Sequence, residues 1–188
     1  EIERLIGQGE VRPGDCAIMY RTNAQSRVIE EAFVRYGMPY KLVAGTRFYE
    51  RREVKDVIAY FRLIQNPHDS VSLLRIINLP GRGIGQQTIA KLSNWAKSMG
   101  LSLYEALRLM AGSKESQTEP SHPFDRRATQ ALTGFFNQIE GFINQSRKLN
   151  LVDLFDLVVE SSGYQRYILQ GMDGEERWDN ILELRTVA

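Results

Sequence analysis

The sequence predicts a mainly α-helical protein with a small α/β part at its N-terminus. Two observations support this prediction: short apolar runs flank a helical pattern within residues 1–43, and the apolar spacing is helical from Glu53 onward. The composition agrees, because 188 residues with 43% hydrophobic and 25% charged residues are typical of a folded globular chain. We therefore expect two units, residues 1–43 and residues 44–188.

The first unit is predicted as strand, helix, strand. Residues 15–20 and residues 40–43 are short apolar runs, as expected of buried strands. Thr22 or Asn23 could cap the helix between them, and Gly37 could end it. The apolar positions on one face of that helix are Val28, Ile29, Ala32, Phe33 and Tyr36. This order is a βαβ unit, which needs further parallel strands, and the chain offers too few, so we expect an incomplete sheet.

The remainder is predicted to be helical. Ser70 and Asn150 are expected to cap helices, and Ser102 with Glu105 forms a capping box. A stretch rich in Ser, Thr and Pro, residues 112–123, is the expected exposed loop. The predicted helices are 53–64, 71–78, 88–99, 103–110, 126–148, 151–163 and 175–184.

Charge and motif content exclude several kinds of chemistry. The 24 Lys and Arg residues nearly balance the 23 Asp and Glu residues, so any nucleic-acid binding must be local. Two histidines and one cysteine cannot build the usual zinc site. The sequence has neither a Gly-x4-Gly-Lys-Ser/Thr phosphate loop nor a Gly-x-Ser-x-Gly nucleophile elbow. We expect no catalytic residue, metal ion or cofactor in this chain alone.

The sequence also favours a cytoplasmic protein without membrane contact. No apolar run approaches the ~20 residues that a membrane-spanning helix needs, and the N-terminus lacks the apolar core of a secretory signal. The single cysteine, Cys16, cannot form an internal disulfide, which fits a reducing compartment.

The first candidate site is the glycine-rich turn Gly81-Arg82-Gly83-Ile84-Gly85, with Thr88 at the start of the following predicted helix. Its form resembles a helix-hairpin-helix element for DNA binding. Glycines let the backbone approach a phosphate closely, and unpaired N–H groups at the start of the second helix point outward to meet it. Such contacts read no base sequence. The alternative is a glycine-rich turn that simply joins two core helices.

Two further stretches combine cations with polar or aromatic residues. In residues 20–27, Arg21 and several hydrogen-bonding side chains follow a predicted strand, where open α/β sheets usually bind ligands. The alternative there is helix capping beside a solvated Arg21. Residues 47–56 interleave aromatic and charged residues, as surfaces that track a nucleic-acid strand do. The alternative is a solvated, salt-bridged surface with its aromatics in the core.

Four blocks, in order, resemble superfamily 1A DNA helicases of the UvrD/PcrA/Rep type. The blocks are Tyr20-Arg21-Thr22-Asn23-Ala24-Gln25-Ser26-Arg27, residues 48–56, residues 59–63 and Arg82-Gly83-Ile84-Gly85. They cover residues 15–92 closely, whereas residues 103–188 match as a helical pattern together with Ser162-Gly163-Tyr164. The resemblance implies the DNA-binding part of an ATP-dependent DNA helicase that unwinds duplex DNA in repair or replication.

In that family two RecA-like motor domains bind ATP and Mg²⁺ between them, and helical domains called 1B and 2B are inserted into the two motor domains. The resemblance implies that residues 1–43 begin motor domain 2A and that residues 44–188 are the 2B insertion, truncated at its C-terminus. ATP and Mg²⁺ would then bind to the remaining motor domains of a parent chain. This chain alone would not hydrolyse ATP.

The resemblance also implies two sets of DNA contacts. Arg21 and Asn23 match family positions that contact single-stranded DNA, and Arg47 is a further position of that kind. The positions that match the element through which 2B binds duplex DNA are Gly83, Ile84, Gly85 and Thr88. Two other functions stay open here: an independent helix-hairpin-helix DNA-binding module of a repair enzyme, and a helical protein-interaction domain without DNA contact.

Overall fold

The structure is a computed structural model that describes residues 1–43, 45–112 and 122–187. Within these ranges the chain forms ten α-helices, three short 3-10 turns and no β-strand. The helices are α1 (Ile2–Gly7), α2 (Ser26–Arg35), α3 (Arg52–Gln65), α4 (Ser70–Ile76), α5 (Gln86–Ser98), α6 (Leu103–Gly112), α7 (Arg126–Ser146), α8 (Leu151–Ser161), α9 (Tyr164–Leu169) and α10 (Gly174–Arg185). Residue 44, at the predicted boundary of the two units, and residues 113–121 of the predicted loop lie outside the described residues.

None of the helices in the described ranges has both the length and the apolar character needed to cross a membrane.

Side-chain hydrogen bonds explain where several helices begin. Asn150 caps α8 by accepting a backbone N–H hydrogen bond of 2.8 Å, as predicted. Ser102 and Glu105 form the predicted capping box at the start of α6. The cap of α4 is Asp69, one residue before the predicted Ser70. Helix starts were therefore predictable to within about one residue where a short polar side chain precedes an apolar stripe.

Several helices differ from the prediction, among them α5, α7 and the short helices α1 and α9. α5 begins at Gln86, two residues before the predicted start at Thr88, because Gly85 already serves as its N-cap residue. α7 ends at Ser146 rather than at residue 148. α9 has no predicted counterpart, because a helix of six residues contains too few apolar repeats to show a period.

Most apolar side chains lie in two cores that share α3 and α8. The main core is formed by α3 to α8, and a smaller second core is formed by α3 and α8 to α10. Fully buried residues of the main core include Leu63, Leu73, Ile84, Leu92, Leu107 and Leu132. Burying an aliphatic side chain of this size contributes about 1.5–3 kcal/mol. The helical part thus has an apolar core of its own.

A close backbone contact fixes the start of α10. A Cβ added to Gly174, the first residue of this helix, would lie 2.7 Å from the carbonyl oxygen of Ile168 and 2.9 Å from that of Leu169. Only glycine fits at this position without a backbone shift. Ile181 and Leu184 pack into the second core further along, so α10 has a defined position against α3 and α9.

The predicted strands at residues 15–20 and 40–43 are not formed in the described part of the chain. The backbone N–H groups of residues 17–20 and 40–43 donate no hydrogen bond to any described residue. A strand needs a neighbouring strand to complete its ladder, and no described segment takes that place. The predicted small α/β part is therefore present only as its helix, α2.

Helix α2 presents its polar side to the rest of the protein. Its buried residues are Ser26, Arg27 and Glu30. On the opposite, apolar face, Val28 is 57% exposed and Tyr36 is 62% exposed. The apolar face that the sequence predicts for α2 is thus only partly covered, since Ile29, Ala32 and Phe33 are half-buried.

Candidate nucleic-acid interface

The glycine hairpin, residues 81–85, joins α4 to α5 in a defined conformation. Asn78 Oδ1 accepts hydrogen bonds from the backbone N–H groups of Arg82 (2.7 Å) and Ile84 (3.1 Å). Gly83 has a φ of +79°, a left-handed conformation that favours glycine. The side chain of Ile84 is fully buried in the main core. Of the predicted duplex contacts, Ile84 therefore offers no side-chain atom to a ligand.

Arg82 holds the hairpin against α3 and α7. Its guanidinium donates hydrogen bonds to Tyr60 Oη (2.9 Å), to Gln138 Oε1 (3.0 Å) and to the backbone carbonyl of Ile76 (3.0 Å). Burial raises the pKa of Tyr60, so its hydroxyl keeps its proton and donates to the carbonyl of Leu79 at 2.7 Å. Arg82 is therefore a structural residue of the hairpin.

The start of α5 has backbone N–H groups without partners. Gly85 is the N-cap residue and provides no side-chain cap, and the N–H groups of Gln86, Gln87 and Thr88 donate no hydrogen bond to a described residue. Gln86 and Gln87 are exposed, and Thr88 is half-buried with no side-chain hydrogen bond within the described ranges. Gly85 has an ordinary φ of −78°, and a Cβ built there would meet no atom within 4 Å. Neither backbone strain nor packing requires glycine at this position.

A groove of about 450 Å³ runs beside Gly85 and has two guanidinium groups in its wall, those of Arg52 and Arg75. Arg75 Nε donates to Asp56 Oδ1 at 2.7 Å, and Asp56 also accepts from Tyr164 Oη at 2.8 Å. Burial, and next the nearby Asp56 carboxylate, raise the pKa of Tyr164 well above its usual value, so this phenol stays protonated. Sequence reasoning missed Arg75, because only the fold brings α4 alongside the start of α5.

The polar turn, residues 21–25, presents one free cation. Gln25 Oε1 accepts hydrogen bonds from the backbone N–H groups of Arg21 (2.9 Å) and Thr22 (3.3 Å). Arg21 is exposed, and its guanidinium has no partner among the described residues. The side-chain amide of Asn23 donates to Glu176 on α10. Of the two predicted single-strand contacts in this turn, Arg21 is therefore open to solvent, whereas the side chain of Asn23 is hydrogen-bonded to α10.

Some residues of the 47–56 stretch are exposed and others are buried. Arg47 is exposed, and its guanidinium carbon lies 5.6 Å from the centre of the Tyr40 ring. Several residues of the 47–56 stretch are buried, with exposures of 0% for Phe48, 7% for Arg51, 6% for Glu53 and 1% for Asp56. Arg51, Glu53 and Asp56 are therefore buried rather than solvated, although Glu53 and Asp56 do form ion pairs. Phe48 belongs to the second core and cannot stack on a base.

The predicted site residues form two groups on either side of the start of α3. Arg51 contacts the polar turn, and the next residue, Arg52, lines the groove beside Gly85. No hydrogen bond or ion pair in the described ranges joins the polar turn directly to the hairpin. Those ranges also contain no group of three or more His, Cys, Asp or Glu side chains placed to hold a metal ion.

Comparisons with known proteins identify what the chain is similar to. The family described as "UvrD-like helicase C-terminal domain" matches residues 1–131. The chain is 39% identical over 193 residues to the ATP-dependent DNA helicase UvrD1 of Mycobacterium tuberculosis, with all of this chain and 24% of that protein covered. It is 35% identical over 190 residues to the ATP-dependent DNA helicase PcrA of Bacillus subtilis, again with 100% and 24% covered. The chain thus spans about a quarter of the length of these curated relatives.

Proposed function

Because the chain belongs to the UvrD-like helicase C-terminal family, we propose that it is the DNA-binding part of a larger ATP-dependent helicase that unwinds duplex DNA in repair or replication. The names of its relatives support that activity for the whole protein. The 24% share of their length that the chain covers supports a longer parent. On this proposal residues 1–43 begin motor domain 2A and residues 44–188 belong to the 2B insertion.

The uncapped start of α5 carries the duplex-binding part of the proposal. Ser, Asp or Asn at position 85 would cap α5 better than Gly85 does, so helix stability does not explain the glycine. What glycine provides is open access to the N–H groups of Gln86, Gln87 and Thr88. A backbone phosphate fits there, because the positive end of the helix dipole and unpaired donors both favour an anion. The α4–hairpin–α5 segment would thus act as a helix-hairpin-helix-like element.

The polar turn would hold the single strand. Arg21 supplies an exposed guanidinium without a competing carboxylate, and Arg47 supplies a second exposed cation. Phosphate contacts of this kind suit a protein that must move along any sequence, because they do not depend on base identity. Asn23 would also contact the strand once its side-chain amide donates to DNA instead of to Glu176.

The open apolar surface of residues 1–43 supports a larger motor domain as the partner of this segment. Met19 is 95% exposed, Val43 is 79% exposed and Val34 is 71% exposed. We propose that residues 15–20 and 40–43 become strands on both sides of α2 when the remaining strands of the parent domain supply their ladders. An independent DNA-binding module would be expected to bury such residues itself, because exposed apolar patches mark contacts with other protein parts.

The duplex proposal is tested by Gly85→Asp, with Gly81→Asp as the matched control. Aspartate at the N-cap should raise the free energy of unfolding by about 0.3 kcal/mol, since it caps α5 better than glycine. The same carboxylate should weaken low-salt binding of a labelled duplex about tenfold or more, because it occupies the free N–H groups and repels phosphate. Gly81 also faces open space, but it precedes the N-cap by four residues, so Gly81→Asp should weaken binding far less. Unchanged duplex affinity in Gly85→Asp would contradict the proposal.

ATP and Mg²⁺ are proposed to bind in the rest of the parent chain. We expect this chain alone to release no phosphate from ATP above background, with or without DNA, because its sequence has no phosphate loop. Phosphate release measured on protein free of full-length helicase checks this expectation, and DNA-stimulated turnover would contradict it.

A further inference from the structure

A buried polar cluster lies where the start of α3 meets the polar turn and α10. Arg51, at its centre, is 7% exposed. Its guanidinium donates to the backbone carbonyl of Asn23 (2.7 Å), to Ser26 Oγ (2.8 Å) and to Asn180 Oδ1 (2.6 Å). Arg51, the N-cap residue of α3, therefore contacts both the N-terminal segment and α10.

Asn180 uses both ends of its amide in this cluster. Its Oδ1 accepts from Arg51, and its Nδ2 donates to Glu53 Oε1 at 2.8 Å. Glu53 in turn forms an ion pair with Arg177, whose Nε lies 3.5 Å from Glu53 Oε2. Asn180 is 3% exposed, so losing it would leave buried donors and acceptors unpaired.

Two more residues of α10 contact the N-terminal segment. Glu176 accepts from the amide of Asn23, and Glu183 Oε1 accepts from Arg27 Nε at 2.7 Å. Positions 176, 180 and 183 are spaced by four and three residues, so they lie on one face of α10. The adjoining face of α10, with Ile181 and Leu184, packs into the second core. The helix thus connects the core to the polar turn through a single polar face.

We propose that Arg51 and Asn180 are positioning residues that set the conformation of the polar turn, so that α10 determines where Arg21 meets the DNA backbone. This inference rests on the proposed single-strand role of Arg21. Neither Arg51 nor Asn180 touches the strand on this account. They fix the carbonyl of Asn23, two residues from Arg21, and a preformed backbone lowers the ordering cost of binding.

The test measures binding of labelled oligo(dT) to the 188-residue chain over a range of salt concentrations. Arg21→Ala should weaken binding and reduce the salt slope by about one charge unit. Asn180→Ala removes no charge, yet it should weaken binding about five- to tenfold and also reduce the salt slope, because Arg21 loses its defined place. In the Arg21→Ala background, Asn180→Ala should have almost no further effect on affinity, since both changes act on one contact.

Tyr164→Phe is the matched control, because it removes a different buried hydrogen bond, the one to Asp56, on the neighbouring helix α9. It should lower stability while affinity and salt slope stay as in the unaltered chain. If Asn180→Ala does not fold, Ser26→Ala removes an acceptor of Arg51 and leaves α10 intact, with the same expected binding defect.

The outcomes separate this inference from the proposed function. If the unaltered chain does not bind oligo(dT) at low salt, or Arg21→Ala binds as tightly, the single-strand role of Arg21 is wrong. If Arg21→Ala binds weakly but folded Asn180→Ala and Ser26→Ala keep normal affinity and salt slope, the positioning role is wrong and the single-strand role stands.

Discussion

The N-terminal segment, residues 1–43, and the helical part after it distribute their side chains in opposite ways. In the described helical part, large apolar residues such as Leu107 and Leu132 are fully buried. In residues 1–43 no apolar residue reaches that burial, while the polar residues Ser26, Arg27 and Glu30 do become buried. The helical part supplies its own core. The N-terminal segment is held by polar contacts and leaves apolar side chains such as Met19 and Val43 exposed.

Two alanine substitutions test this contrast, and one of them has the largest effect that we expect. Leu107→Ala should lower the free energy of unfolding by about 2–5 kcal/mol, because it opens a cavity in the main core. Val34 is 71% exposed, so Val34→Ala should change the free energy of unfolding by less than about 0.5 kcal/mol. Urea unfolding followed by circular dichroism measures both. Similar losses of stability in the two variants would contradict this difference between the two regions.

The same contrast explains what could be predicted from the sequence. Both ends of α3, α7 and α8 were predicted to within two residues, because an apolar stripe is a local signal and the core covers it. Burial of Arg51 could not be predicted, because its partner Asn180 lies 129 residues away in the chain. The glycine hairpin was recognisable because its glycines are adjacent in sequence. The position of Arg75 in the wall of the groove was not recognisable from the sequence, since it depends on how α4 packs.

Arg21→Ala tests whether the N-terminal segment contributes the single-strand contact. We expect single-strand affinity to fall by about 1.5–3 kcal/mol, the usual value of a hydrogen bond to a charged group. The loss should be equal for strands of different sequence, because phosphate contacts do not read bases. Fluorescence anisotropy titrations with two strands of unlike composition measure it. A sequence-selective loss would instead indicate base readout by the polar turn.

Thr88→Ala tests the corresponding contact in the helical part. Thr88 is in the first turn of α5 and does not cap it, so stability should change by less than about 0.5 kcal/mol. Duplex affinity should fall by about 0.5–1.5 kcal/mol, since one neutral hydroxyl donor to phosphate is lost. The melting midpoint and the low-salt duplex affinity are measured on the same preparation. Lower stability with unchanged affinity would assign Thr88 a purely structural role.

The smallest expected effect concerns an exposed ion pair within the helical part. Asp156 on α8 accepts from Arg185 on α10 at 2.5 Å, and this hydrogen bond holds the pKa of Asp156 below its usual value. Because both side chains are well exposed, Asp156→Asn should cost only about 0.2–1 kcal/mol at pH 7.

The pH dependence of that loss has a defined sign. A lowered carboxyl pKa contributes stability above the unfolded-state value of about 3.9, and the contribution disappears as the pH falls through the folded-state pKa. The stability difference between the unaltered chain and Asp156→Asn should therefore begin to shrink as the pH falls below about 4. Urea midpoints at pH 7, 5 and 3 test this, and a difference at pH 3 as large as the one at pH 7 would contradict it.

The unpaired backbone of residues 17–20 has a further consequence for the chain in solution. These residues carry no charge and no proline, and their N–H groups have no partner within the described ranges. An open apolar edge of this kind is a template for a strand from a second molecule. High protein concentration therefore favours intermolecular sheet formation, and a strand supplied by the parent domain would protect the chain from this form of aggregation.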